Sequence, residues 1–554
     1  MSPSGLTGAI PKEELEKYTG LWEPQPYEEM PFTRRLLTTN PGIEKLTIDD
    51  VRSAARAFKK RTSQTYDGFH VRQWAMLSDQ GTECLAQLLY ICIRLGTLPR
   101  QHRLVTMMLL PKSSSGNRVV AAFTSLYRLA MRLLRPLLSV WEARVRWPWA
   151  SYQPGNSCLQ AVWHAAQRAE RARQRGQVVT LLLMDFSSYF EHLRRPSLAA
   201  AATEHDFPKA PFNLSVGAYA YHRSIELYGA AVFAGFPRRG VVAGCTAATF
   251  HCLCVSANPM THLVTHFSRA TFNLHVDDLG TQTEEDSETA ALENTAAIGE
   301  YIMDVTAPAL GSTVAMRKLQ IASSSMRVAR ALRHRLDPQG LSPDIEVSVT
   351  LLGADAGAGR RARQLGKKSS SALRWRAFRK RLHRICRLRK AKRAQVAQHI
   401  AGTGLLPATV YSAPVHGILE KELLTLQRVT VQIAFAAGQG KSRHRCLLLT
   451  PDRDLSAQPV VAPIHMHAVM FWKAVEGRGP VALSQLRADW ADAFADGWPK
   501  KVADTRGPFG VVACSLRRVG WKATISPLLF DTGVGVINIL KLGPPQVCRL
   551  DLEA

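Results

Sequence analysis

Seven residues, Val178-Val179-Thr180-Leu181-Leu182-Leu183-Met184, form a near-continuous apolar run that stops on Asp185. A run of aliphatic and β-branched residues without alternation reads as a strand buried on both faces, so a covered sheet must form around it. The acid falls at the strand's carboxyl end, where sheets commonly bind ligands. A second stretch, Phe272-Asn273-Leu274-His275-Val276-Asp277-Asp278-Leu279-Gly280-Thr281, alternates apolar and polar residues on either side of an Asp-Asp doublet. That pattern predicts a hairpin with the doublet at its tip. Adjacent carboxylates repel, and a divalent cation between them relieves the repulsion. Most Asp-Asp dipeptides are only solvated turns. If this hairpin lies beside the buried strand, however, three carboxylates converge. Such a set can hold two Mg2+ ions, roughly 3.5 to 4 Å apart, that activate an attacking hydroxyl and stabilise a leaving oxygen.

The charge balance narrows the substrate. The chain carries 71 Lys+Arg against 44 Asp+Glu, a formal charge of +27. A polyanion, nucleic acid first among them, is the expected partner. A length of 554 residues with 46% hydrophobic side chains predicts three or four folded domains rather than a basic tail. The ten cysteines are scattered, with only Cys252 and Cys254 close together, which excludes a disulfide framework and a zinc-finger spacing. No signal-peptide pattern opens the chain and no stretch is long enough to cross a bilayer. A soluble, intracellular protein of a reducing compartment, not bound to membrane, is therefore expected.

Between Arg360 and Arg393 lie sixteen Lys or Arg and no acid. Phe378, Leu382, Ile385 and Leu388 recur at three- and four-residue spacing, predicting an amphipathic helix. Its apolar stripe docks on a neighbour, with Trp375 and Phe378 packing there, while Arg379, Lys380, Arg384 and Arg387 point toward a phosphate backbone. A solvated helix face or a nuclear-localisation patch has the same composition, and the latter would place the protein in the nucleus.

In their order along the chain these motifs resemble those of a reverse transcriptase of the non-LTR retroelement kind, over approximately Lys60 to Ile418. Thr65-Tyr66-Asp67-Gly68-Phe69, Leu95-Gly96-Thr97-Leu98-Pro99, Leu109-Leu110-Pro111-Lys112, Arg118, Tyr127-Arg128-Leu129 and Tyr152-Gln153-Pro154-Gly155-Asn156-Ser157 are similar to successive fingers segments. Asp185-Phe186-Ser187-Ser188-Tyr189-Phe190-Glu191 resembles the first catalytic palm motif. Arg239 to Thr246 resembles the template-contacting motif, without its glutamine. The doublet resembles the "Y-x-D-D" box with His275 in place of tyrosine. Met316-Arg317-Lys318-Leu319, Leu351-Leu352-Gly353-Ala354-Asp355 and Leu405-Leu406-Pro407 with Tyr411-Ser412 are similar to the motifs that follow.

The resemblance implies an α+β right-hand polymerase, with fingers, a palm built on an antiparallel sheet and a helical thumb. Its domains would be an N-terminal arm and helix (1–59), fingers and palm (60–349), a basic thumb (350–438) and a C-terminal accessory domain (439–554). It implies Asp185, Asp277 and Asp278 as catalytic metal ligands for two Mg2+, or Mn2+, ions, Asp277 bridging and Asp278 assisting. Lys112, Arg118 and Lys318 would hold the triphosphate, and Phe186 and Phe190 would lie beside the nucleotide, Phe190 excluding a 2′-hydroxyl. Gly240, Gly244, His275, Gly353, Arg379, Lys380, Arg384 and Arg387 would contact an RNA template and a DNA primer, which deoxynucleoside triphosphates extend. Two alternatives stay open: an RNA-dependent RNA polymerase, and a decayed or domesticated retroelement protein that only binds RNA. Gly440-Lys441-Ser442 lacks the first glycine of a P-loop, and His262-x-x-x-His266 lacks the glutamate of a zinc protease. Neither is read as a site.

Overall fold

In chain order the strands are β1 (Leu104–Pro111), β2 (Asn117–Ala122), β3 (Val178–Asp185), β4 (His222–Leu227), β5 (Ala230–Phe233), β6 (Thr271–His275), β7 (Asp278–Glu285), β8 (Gln320–Ser323), β9 (Val349–Leu351), β10 (Ala354–Ala356), β11 (Lys522–Ala523), β12 (Leu529–Asp531) and β13 (Val536–Asn538). They belong to a computed structural model that describes residues 12–22, 45–111, 117–227, 230–342, 345, 347–365, 369–390, 394–434, 442, 447, 454–495 and 497–541. The architecture is mixed α/β, with largely antiparallel sheets among many helices. No described helix is long and apolar enough to cross a membrane.

The chain divides into two compact units, each assembled from separated stretches. One comprises Met1–Pro154, Phe186–His266 and Ile302–Val314; the other comprises Gly155–Asp185, Phe267–Tyr301 and Ala315–Ala554. The division falls between Asp185 and Phe186, inside the stretch that the sequence assigns to a single fingers-and-palm block.

In the first unit the sheet order is β2-β1-β4-β5, with β1 and β4 parallel and the other pairs antiparallel. Asp67 organises the chain before this sheet. Its carboxylate accepts from Ser125 N at 2.7 Å and Thr65 Oγ1 at 2.8 Å, and Gly68 takes the left-handed φ of 62° that the turn requires. The Asp79–Leu95 helix starts on the Ser78 cap, whose hydroxyl accepts from Gly81 N, and ends at Gly96 with φ 64°.

In the second unit the order is β6-β7-β3-β8, antiparallel throughout, so β3 is interior. Its side chains alternate between two covers. Leu181 and Leu183 join the core that contains Val162 and Trp163 of the Cys158–Gln174 helix. Leu182, on the other face, lies against Gly299 of the Glu288–Tyr301 helix. Burial on both faces explains why the β3 sequence never alternates.

The described residues after 453 share a core with other stretches of the same unit. Phe471, Trp490, Phe509 and Phe530 share one core with Trp163 and β3. Phe509 meets Trp163 edge-on with ring centroids 5.7 Å apart. Large aromatic surfaces are the costliest to leave in water, and here those of the C-terminal segment are buried against the Cys158–Gln174 helix that covers β3. A second core gathers Trp375, Phe378 and Ile385 of the Ser370–Lys390 helix with Leu405, Leu406 and Leu426. The apolar stripe predicted for the basic helix therefore faces inward.

Candidate active site

The second unit places Asp185, the last residue of β3, directly opposite Asp278, the first residue of β7. Asp278 also pairs with His275 of β6, so Val276 and Asp277 alone form the turn. Val276 has φ 64°. A β-branched residue in the left-handed region costs on the order of 1–3 kcal/mol and persists only where its surroundings overdetermine it. Here Leu274 and Leu279, 0% and 1% exposed on the flanking strands, anchor the hairpin in the core. The doublet is thus split: Asp277 sits in the turn and Asp278 begins the strand.

Asp278 is pushed up to about 6, first by the protein atoms crowding its carboxyl and then by the Asp277 and Asp185 charges, while a hydrogen bond with the Asp185 side chain adds to the rise. The residue remains open to solvent on its outer side. Lys318 approaches from the Met316–Lys318 turn, its Nζ 2.6 Å from Asp185 Oδ2. That turn is fixed to β3 by Ala315 N, which donates to Asp185 O at 2.7 Å, and closes through Lys318 N to Ala315 O at 2.8 Å. The lysine side chain is 61% exposed against 13% for the aspartate, so the ion pair is screened and easily opened. Asp185, Asp278, Arg317 and Lys318 line one cavity of about 430 Å³.

Among the described residues no group of three or more His, Cys, Asp or Glu side chains is placed to hold a metal ion. The donor chemistry nevertheless suits a hard cation. Mg2+ keeps several waters and takes one or two protein carboxylates together with substrate phosphates. Asp185 and Asp278 supply those carboxylates, and their mutual repulsion is what a cation would relieve.

His275 is half-buried, and burial lowers its pKa. Its Nε2 lies 3.7 Å from Cys158 Sγ. Cys158 opens its helix just after the Ser157 cap, whose hydroxyl accepts from Gln160 N at 3.3 Å. Sequence reasoning passed over Cys158. The β9–β10 turn is also a two-residue turn, with Leu352 at φ 47° and Gly353 at φ 82°. The Arg374 guanidinium donates to Gly353 O and stacks over the Tyr411 ring at 4.8 Å, while Tyr411 Oη donates to Leu352 O at 3.3 Å. Asp355, 2% exposed, accepts from Ser370 N and Ser371 N at 2.6 and 2.9 Å, which starts the basic helix. Arg379, Lys380, Arg384 and Arg387 are all exposed on that helix.

The remaining sequence candidates belong to the first unit and are described within it. Arg118 is exposed on β2, whereas Lys112 lies outside the described residues. Phe186 is 1% exposed, a core residue. Phe190 is half-buried, and its carbonyl accepts from Val241 N at 2.7 Å. Gly240 and Gly244 have φ 86° and 105°, and a Cβ on them would meet Glu191 O at 2.9 Å and Ala121 O at 2.6 Å. Only glycine allows either approach.

No protein-family model and no curated protein matches the chain. Similar solved structures include apo telomerase from Candida tropicalis, truncated from its C-terminal domain, at 12% identity and a TM-score of 0.34 over 47% of this chain. Telomerase from Candida albicans in complex with a fragment of telomeric RNA is similar at 11% identity and a TM-score of 0.36 over 72%. The chain spans 55% and 65% of those two structures. At such scores the likeness decides neither fold nor chemistry, and the function has to be read from the chain's own residues.

Proposed function

We propose that the chain is an RNA-directed DNA polymerase that extends a primer with deoxynucleotides at Asp185, Asp277 and Asp278. The observation that carries this reading is the cross-strand pairing of Asp185 with Asp278 at the end of a sheet buried on both faces. Two facing carboxylates repel unless a proton, a cation or a ligand lies between them. Asp185 and Asp278, with Asp277 beside them in the turn, would hold Mg2+ or Mn2+. When bound, the divalent ions would lower the pKa of the primer hydroxyl and offset negative charge on the reacting phosphate.

The chain's own groups supply the rest. The hairpin, strained at Val276 and anchored by Leu274 and Leu279, keeps the acids in place. Lys318 is exposed and weakly paired, so it can leave Asp185 for an anionic substrate and hold the departing pyrophosphate as the primer 3′-hydroxyl attacks the α-phosphate in line. Arg379, Lys380, Arg384 and Arg387 would grip the phosphate backbone of template and primer. Phe190 would exclude a 2′-hydroxyl.

The test is extension of oligo(dT) on poly(rA) with Mg2+ by the purified chain and its Asp185→Asn variant. Wild-type extension together with a loss of at least ~10³-fold in the variant is expected. Undiminished extension by the variant would sink the proposal. A second reading, RNA binding without catalysis, is favoured by the Lys318–Asp185 ion pair, which already neutralises the central acid. It predicts RNA binding by both proteins and extension by neither.

A further inference from the structure

The Asp79–Leu95 helix is apolar on two faces, and its own unit buries only one of them. Leu85, Leu89 and Ile93 are 6%, 0% and 1% exposed. Opposite them, Cys84 is exposed, and Leu88, Ile91 and Leu95 are 39%, 52% and 57% exposed. Positions 84, 88, 91 and 95 follow a four-three-four spacing, which draws one straight stripe along a helix and is the spacing of a helix–helix seam. With Asp79, Gln80, Glu83, Gln87 and Arg94 on its remaining arc, the helix, ended by the Ser78 cap and by Gly96, presents this second apolar stripe to water.

We propose that this stripe is the contact between two copies of the chain, paired antiparallel about a twofold axis. The charges beside the stripe identify the occupant and its direction. Glu83 and Arg94 are eleven residues apart, about three helical turns, and so lie on the same flank of the stripe near opposite ends. In an antiparallel pair, equal flanks face each other. Glu83 then meets Arg94 of the second copy, and Arg94 meets its Glu83, while Leu88 opposes Ile91 and Cys84 opposes Leu95. A parallel pair would instead set each charge toward the other helix's opposite flank and bring Cys84 against Cys84. The surface is self-complementary in one direction only, as a closed twofold contact requires.

A seam of one helix is small, so a dimer with a Kd of about 1–100 µM is expected for the full chain free of nucleic acid. Sedimentation velocity over a concentration series reads it. Ile91→Asp, at an exposed position, should leave circular dichroism and melting unchanged and hold the chain monomeric throughout. Leu95→Cys should give a covalent dimer under mild oxidation, through Cys84 of the second copy, and Cys84→Ser in the same variant should remove it. The two positions on one helix are ~16 Å apart, too far for a disulfide within the chain. A wild-type chain that stays monomeric at ~100 µM overturns the proposal, as does a dimer that survives Ile91→Asp. Oxidative dimerisation of the wild type through Cys84 overturns the antiparallel direction.

Discussion

Two carboxylate sites in the same unit meet opposite surroundings. Asp355 is buried and receives two backbone donors, Ser370 N and Ser371 N, at the start of a helix. Glu170 is treated alike: 4% exposed, it accepts from Phe509 N at 3.0 Å and Gly510 N at 3.2 Å, again at a helix start. Asp185 and Asp278 are given each other instead, with the exposed cation of Lys318 alongside. Fixed N–H dipoles replace part of the water that a buried carboxylate loses, whereas facing two carboxylates adds a repulsion that a proton, a cation or an arriving ligand relieves. The acids supplied with donors hold the fold together; on the proposed reading, the acids supplied with like charge are kept for a ligand.

The sharpest way to break this comparison is to neutralise one acid at each site. Asp278→Asn should cost at least ~10³-fold in primer extension while leaving the metal-free protein as stable as wild type, because a repulsion has been removed. In thermal unfolding, Mg2+ should raise the wild-type melting temperature by mass action and should not raise that of the variant. If Asp278→Asn melts well below wild type in chelator, the acid is structural and the contrast fails. Asp355→Ala should do the reverse. Two amides at the helix start lose their acceptor, a loss of about 1–3 kcal/mol in urea unfolding, with Asp355→Asn recovering part of it. Wild-type stability of Asp355→Ala would remove the structural half of the argument.

The two kinds of site were unequally legible in the sequence. Asp185 and the doublet stood out because local pattern announces them: an unalternating run that stops on an acid, and an alternating pair of strands around a turn. The basic helix was visible for the same reason, its stripe repeating within a few turns. Asp355 was seen only as the end of a hairpin motif, since nothing near it says that it will cap the helix beginning at Ser370. Glu170 carried no signal, because its donors lie 339 and 340 residues away. The C-terminal aromatics were invisible in a similar way: Phe509 and Trp490 announce burial but not against which partner. Sequence patterns report what a residue needs, and only the fold reports who supplies it.

Glu170 sharpens the comparison through pH. Burial pushes its carboxyl from 4.5 up to about 7, outweighing the two backbone donors and the Arg506 charge that favour ionisation. A carboxylate raised in the folded state binds its proton more tightly there than in the unfolded chain. Its contribution to stability is therefore complete below about 4.5 and is lost as the pH rises through about 7. Glu170→Gln, which cannot ionise, should remove this part of the slope. Urea midpoints of wild type and variant should diverge between about pH 5 and pH 8, with the wild type losing more. Parallel curves would mean that the donors keep Glu170 charged throughout.

The smallest effect belongs to the exposed cations of the basic helix. Arg379 and Lys380 stand on the helix that Asp355 caps, so their proposed contribution to nucleic-acid binding is separable from the cap's contribution to the fold. Replacing both by alanine should leave unfolding unchanged and reduce the slope of log Kobs against log salt by about 1.4 to 1.8, the release of two counterions. Asp355→Ala should instead weaken binding by fraying the start of the helix and leave that slope nearly intact, since every cation remains. If the two variants change the slope equally, the basic helix binds nothing by charge alone, and the cap and the cations act as one element.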